Sequence, residues 1–387
     1  MFPKKLHTIF FNLLRNFAPS LFNFGIAIIG VQYCGTENWG KLVSVLITLF
    51  IVNFIANWGN QEYLIRAYSK KPNSILTLYF SSLTTRSLFL VLSLGFFFYY
   101  SASIAMLIIA LVVAQFIYNS LGSLIIYQQK FKSQLLAEFL GFLVIFLAIL
   151  FNPSFSISYF LTAYLFSFLL KLSILIPLLK LFPKKGMIQF NKISILEMAP
   201  FFLIGLSGWM QSKVDLYIVD YFLTPSDLSQ YQLVITAFIM LLSISALLTQ
   251  PFSKHLYRAD EQVILKVRKL VSWAGLPIAI IGSWVIWYFL ENYTVVHLDV
   301  NVYWMLALSV FPPFLYTVDI LNYYKRKEEQ KVMQITLIGA LINLILTLIL
   351  TPIYGIFGAT IGVCSAKWTV LIIYKLKNVK RISKGKN

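Results

Sequence analysis

Five basic residues stand inside long apolar runs of this chain: Arg15, Arg86, Lys171, Lys213 and Lys367. Embedded acids are fewer. Asp215 is deep, while Glu138, Glu197 and Asp319 sit nearer the ends of their runs. A charge held at the centre of a bilayer costs about 3 kcal/mol or more, so it needs a partner or a wet cavity. A basic surplus suits an anionic ligand such as a phosphate or diphosphate, held through charge-assisted hydrogen bonds. The alternative is structural, with Arg86 and Lys367 locking helices against acids or backbone carbonyls. Arg15 and Lys171 lie ~10 Å from the inner end of their runs at the helical rise and are able to snorkel. Arg86 and Lys367 fall near the midplane, and Lys213 in the outer third of its run.

Amides and hydroxyls repeat at helical spacing in the same runs. The first carries Asn12, Arg15, Asn16 and Asn23, the second Asn53 and Asn57, and the fourth Gln115 and Asn119. The seventh carries Ser207, Gln211 and Asp215, the eighth Gln232 and Thr236, and the eleventh Asn343 and Thr347. Hydrocarbon does not solvate such groups, so the stripes face other helices or a cavity. Both readings stand: hydrogen bonding between helices, or a shared polar cavity. Residues two apart on a helix point ~200° from each other. Lys213 and Asp215 are therefore no simple pair, and Asp215 continues the Gln211 stripe.

These residues need membrane-crossing helices to position them. The chain has 387 residues, is 59% hydrophobic and only 12% charged, and has a mean hydropathy of +0.78. A soluble domain would carry about 25% charge. Runs long enough to cross ~30 Å of hydrocarbon as helices recur throughout. Twelve are expected, near 10–31, 41–59, 76–99, 103–126, 134–151, 157–179, 197–218, 229–250, 269–290, 301–322, 332–350 and 355–374. The ~10-residue alternating strands of a membrane barrel are absent. The class is thus an all-α polytopic membrane protein. The first run is too long for a cleavable signal peptide. Cys34 and Cys364 suggest no disulfide framework or metal cluster. Glu291, His297 and Asp299 share one short loop without metal-ligand spacing and read as solvated.

The net charge of +18 does not imply nucleic acid. Most Lys and Arg residues fall in alternate loops: Arg66 to Lys71, Lys130 and Lys132, Lys180 to Lys192, Lys254 to Lys269, Lys325 to Lys331, and the tail. The other side has Lys41 alone. The positive-inside rule then makes both termini cytoplasmic and the span count even. Attraction to anionic membrane lipids accounts for the remaining charge. A basic linker at 181–196 divides the chain into six-span bundles at 1–180 and 197–387. "APSLF" (18–22) and "APFFL" (199–203) occupy matching places in the two halves, as in transporters built from parallel repeats.

Longer motifs then align in order. "CGTENWGKL" (34–42) and "ANWGNQEYLIR" (56–66) open the chain, "KVDLYIVDYFLTPSDLSQYQLVITAF" (213–238) joins spans seven and eight, and "TPIYGIFGATIG" (351–362) begins the last span. Together they resemble the polysaccharide and O-antigen flippases (Wzx type) of the multidrug/oligosaccharidyl-lipid/polysaccharide exporter superfamily. That resemblance implies two six-helix bundles forming a V around a cavity lined by spans 1, 2, 7 and 8. It implies a lipopolysaccharide-type role in the bacterial inner membrane: moving an undecaprenyl-diphosphate-linked oligosaccharide by alternating access. The expected ligand contacts are Arg15, Asn16, Asn23, Asn53, Asn57, Arg86, Gln211, Lys213, Asp215, Gln232 and Lys367. No cofactor is expected, although H⁺ or Na⁺ coupling is known among relatives. A polysaccharide polymerase and a chain-length regulator are the implied partners. A cation-coupled multidrug-type exporter is the alternative, but it favours an acidic, aromatic cavity. A membrane enzyme would need a sizeable outward loop, and none is present. On this reading Arg15→Ala and Arg86→Ala impair transport, and Lys71→Ala is tolerated.

Overall fold

A computed structural model of the chain describes residues 2–151, 156–182, 187–249, 261–326 and 328–384. Much of the expected basic linker at 251–268, with Lys254 and Arg258, lies outside them, as do Lys184, Lys185 and Lys327. The helices, in chain order, are α1 (Phe2–Cys34), α2 (Thr36–Asn57), α3 (Asn60–Lys70), α4 (Ile75–Arg86), α5 (Ala102–Gln128), α6 (Phe131–Phe151), α7 (Ile157–Leu178), α8 (Lys192–Phe222), α9 (Pro225–Thr249), α10 (Glu261–Tyr293), α11 (Val300–Lys325) and α12 (Glu329–Lys384). Short 3₁₀ turns flank α4, and the one from Ser87 to Phe98 completes the third span.

Ten of these segments are long and apolar enough to cross a membrane. The chain is a multi-pass membrane protein. The other two of the twelve expected spans correspond to α8 and to the second half of α12. α8 is long enough, but Gln211, Lys213 and Asp215 dilute its apolar character. α12 is two helices folded back at Gly355, whose φ of +59° and ψ of −140° break the helical path. Residues on either side of that break pack antiparallel: Gly358 approaches the Leu350 backbone, and Gly362 the Thr347 backbone. A side chain at Gly362 would need the space Thr347 occupies, so small residues set this spacing, as in membrane helix pairs generally.

Helix starts and stops follow local chemistry. Gly35, at φ +81°, separates α1 from α2, and Trp58 and Gly59 turn the chain through left-handed backbone after α2. α9 opens with a reciprocal cap: the Asp227 N–H donates to Thr224 Oγ1 (3.2 Å) and the Thr224 N–H to Asp227 Oδ2 (3.2 Å), with Pro225 in the first turn.

The chain divides into two compact units, Met1–Gly205 and Leu206–Asn387. The division falls inside α8 rather than at the linker. The first turns of α8 belong to unit 1 for a physical reason. Trp58 stacks on Phe202 at 4.0 Å and donates to the Ile195 carbonyl at 3.1 Å, and Tyr63 donates to Glu197 at 2.6 Å. Within unit 1, α6 packs on α1 and α7, and α5 on α2, α3 and α7. Its core gathers Leu64, Tyr68, Tyr79, Leu121 and Leu175. Within unit 2, α11 packs on α9, α10 and α12, around Tyr316, Ile335 and Tyr374.

Candidate functional site

In unit 1 the deepest cation is Arg86, at the last residue of α4, with no exposed surface. Its Nη1 donates to the Ala56 and Asn57 carbonyls at 3.3 and 3.4 Å. Its Nε donates to Ser82 Oγ at 3.2 Å and its Nη2 to Ser120 Oγ at 3.0 Å. The guanidinium also lies over the Phe116 ring, 5.1 Å from its centre. Ala56 and Asn57 end α2, where carbonyls lack intrahelical partners and the helix dipole is negative. Arg86 thus caps α2 from a neighbouring span. This geometry fits its structural alternative rather than a cation waiting for a ligand.

Lys171 of α7 is also partnered. Its Nζ lies 2.8 Å from Glu138 Oε2 of α6, and the Tyr118 hydroxyl of α5 donates to the other carboxylate oxygen. The ammonium rests between the Tyr118 and Phe168 rings, at 5.3 and 4.7 Å. Gly141 makes room for it: a side chain there would collide with the Lys171 stem. In the sequence Lys171 is free to snorkel and Glu138 is an edge acid; the structure joins them. The available signal is depth. Both lie a few residues from the same end of consecutive spans, so antiparallel neighbours bring opposite charges level.

A cavity of about 190 Å³ lies beside this pair, reached by Asn23 of α1 and by Gln115 and Asn119 of α5. Asn53 lies behind Gln115 and donates to it at 2.6 Å; Asn57 donates to the Asn53 carbonyl at 2.8 Å. Asn53 and Asn57 are therefore engaged between and along helices. Arg15 donates twice to Asn16 Oδ1, at 3.2 and 2.8 Å, and lies 5.3 Å from the Phe131 ring centre. Arg15 is half-buried and Asn16 exposed.

Unit 2 is arranged differently. Asp215 of α8 is 1% exposed and accepts from the Tyr231 hydroxyl of α9 at 2.5 Å through Oδ2. Its Oδ1 is buried without a hydrogen-bond partner. Lys213 of α8 and Lys367 of α12 both interact electrostatically with Asp215. Neither makes an ion-pair contact with it among the described residues. Two cations therefore share one carboxylate. Gln211, one turn earlier, presses its amide against Gly339, and its Nε2 is buried and unbonded. Asn343 donates to the Gln211 carbonyl at 3.3 Å, and Thr347 to Asn343 Oδ1 at 3.1 Å. Gln232 follows Tyr231 on α9, and its Oε1 is also unbonded. Trp209 packs against Tyr217 at 5.5 Å.

The expected site residues thus separate. Arg86, Asn53 and Asn57 are committed within unit 1, and Asn23 borders its cavity. Gln211, Lys213, Asp215 and Lys367 form one polar cluster in unit 2 that retains unbonded polar atoms and a net positive charge. Chemically, such a cluster can receive an anion, with an amide and a carboxylate beside it for hydroxyl groups.

No family model matches the sequence, and no curated protein matches it. Solved structures do. Lipid II flippase MurJ, in an inward closed conformation, aligns with a TM-score of 0.73 and 16% identity over 96% of this chain and 87% of its own. A multidrug resistance MATE family transporter of the MOP superfamily aligns in its inward-facing conformation with a TM-score of 0.59 and 14% identity, over 95% of each chain. Its outward-facing conformation gives 0.60 and 14%, over 98% of this chain and 96% of that one. The chain has their fold.

Proposed function

We propose that this protein is a flippase for an undecaprenyl-diphosphate-linked oligosaccharide, an O-antigen or capsule repeat unit, in the bacterial cytoplasmic membrane. The observation carrying this reading is the unit 2 cluster, where Lys213 and Lys367 both interact electrostatically with a single Asp215. A diphosphate supplies the missing negative charge. Gln211 and Gln232, with unbonded amide atoms, suit sugar hydroxyls. Transport proceeds by alternating access with both termini cytoplasmic, and Asp215 is the candidate for any H⁺ or Na⁺ coupling. A polysaccharide polymerase and a chain-length regulator would act on the delivered unit. The fold shared with a lipid II flippase supports the reading.

The fold shared with multidrug transporters supports a second reading, a small-molecule exporter. Deleting the gene separates them. The flippase reading expects loss of surface polysaccharide and accumulation of the lipid-linked unit on the cytoplasmic side. Normal polysaccharide with heightened drug sensitivity, in a strain with no second flippase, rejects it in favour of the exporter.

A further inference from the structure

A second cavity in unit 2, of about 500 Å³, opens between α10 and α11 and is backed by Trp368 of α12. Its rim is aromatic and exposed: Trp284 is 58% and Trp304 65% accessible. These residues lie on membrane-crossing segments, so the crevice opens sideways toward lipid rather than water. Trp284, Tyr288 and Tyr293 stand toward the end of α10 that meets the 294–299 loop, as aromatic residues do at a membrane interface.

Two lining residues are out of keeping with these apolar walls. The Ser283 Oγ and the Tyr303 hydroxyl are both buried without a hydrogen-bond partner. The Trp368 indole, by contrast, is already satisfied by the Leu308 carbonyl at 3.1 Å. A serine hydroxyl can turn back to a carbonyl of its own preceding turn. A tyrosine hydroxyl has no such route within its own helix; the Glu291 carboxylate interacts with it electrostatically but no hydrogen bond joins them, and leaving the hydroxyl bare costs about 1–3 kcal/mol. Tyr303 therefore carries the argument. It lies three residues into α11, ~5 Å from the helix start at the helical rise. That places it at the end of a membrane-crossing segment, beside the aromatic residues at the end of α10.

We infer that this crevice holds one acyl chain of a glycerophospholipid, whose ester carbonyl accepts from the Tyr303 hydroxyl. The volume is that of a single fatty-acyl chain. A long polyprenyl chain would overfill it, so the site is distinct from carrier-lipid binding and does not depend on the flippase reading. The chain's outer end lies against Trp284 and Trp304, and its tail runs inward past Ser283 and Leu276.

Native mass spectrometry of the full chain, extracted in mild detergent, tests this. The wild-type protein should retain one phospholipid, identified by fragmentation. Ala307→Phe, which fills the crevice, should lower that occupancy at least fivefold, and Tyr303→Phe severalfold, with thermal melting unchanged in the latter. Ser283→Leu fills the same space from the other wall, so the test survives if Ala307→Phe does not fold. Equal occupancy in Tyr303→Phe and in a folded filling variant overturns the assignment. So does a retained species that proves to be a polyprenyl phosphate, or retention of detergent only.

Discussion

In unit 1 the cations Arg86 and Lys171 are surrounded by partners; in unit 2 Lys213 and Lys367 have no hydrogen-bond or ion-pair partner among the described residues. Arg86 directs four hydrogen bonds at carbonyls and hydroxyls. Lys171 has its own carboxylate and a tyrosine that orients it. Lys213 and Lys367 share Asp215, which leaves one carboxylate oxygen and the Gln211 amide unbonded. A buried cation with a complete set of acceptors is a structural element, and removing it strands those acceptors. A cluster with surplus charge is held at a cost that a ligand of opposite sign relieves. The contrast favours unit 2 for anion binding, even though Arg86 is the most deeply buried cation among the described residues.

The largest effect should come from breaking the complete side of the contrast. Arg86→Ala removes the donors to the α2 terminus and to two serine oxygens and leaves a cavity, and should destabilise the protein by about 3–5 kcal/mol. Thermal melting in detergent and membrane abundance both report it. Arg86→Lys should recover little, because one ammonium cannot span carbonyls and hydroxyls on three helices. Arg86→Ala that melts like wild type would erase the distinction between the units. The impaired transport expected of Arg86→Ala would follow from lost stability.

Glu138→Leu is next, at about 2–4 kcal/mol, since it strands the Lys171 ammonium. The double change Glu138→Leu with Lys171→Met should regain most of that loss, because neither charge is then left alone. A double variant no more stable than the single would show that the pair does more than satisfy itself.

Gly355→Ala should cost about 1–3 kcal/mol, from a side chain at a backbone angle that only glycine adopts readily. It sharpens the comparison because the fold-back brings Lys367 level with α8. Loss of anion binding beyond the loss of stability would show that the hairpin positions the ammonium.

Lys213→Ala and Lys367→Ala should change stability least, by within about 1 kcal/mol, since each removes one of two like charges. Their effect is expected in transport instead. A large fall in melting temperature for either would place it with Arg86 as structural.

The membrane spans were legible because an apolar run of about twenty residues is rarely anything but a membrane-crossing helix. The gap expected between the spans at 332–350 and 355–374 falls beside the break at Gly355. The roles of the embedded charges were not legible. The carbonyls that bind Arg86 belong to Ala56 and Asn57, and a backbone acceptor leaves no mark on residue type. Glu138 and Lys171 stand in different spans, and only their matched depth hinted at contact. The unit boundary within α8 was hidden for a similar reason. It depends on Trp58 and Tyr63 holding the first turns of α8, contacts more than a hundred residues apart in sequence. By contrast, the ~200° separation of Lys213 and Asp215 was readable from helical geometry, and the two do not form a contact pair among the described residues.

The most direct measurement is equilibrium binding of a short-chain polyprenyl diphosphate to the purified protein, against the corresponding polyprenol. The surplus-charge cluster predicts clear preference for the diphosphate, weakening as salt screens the charges. It predicts at least tenfold weaker binding in Lys213→Ala and Lys367→Ala, and tighter binding in Asp215→Asn. Equal affinity for diphosphate and alcohol, or undiminished diphosphate binding with both lysines replaced, would contradict it.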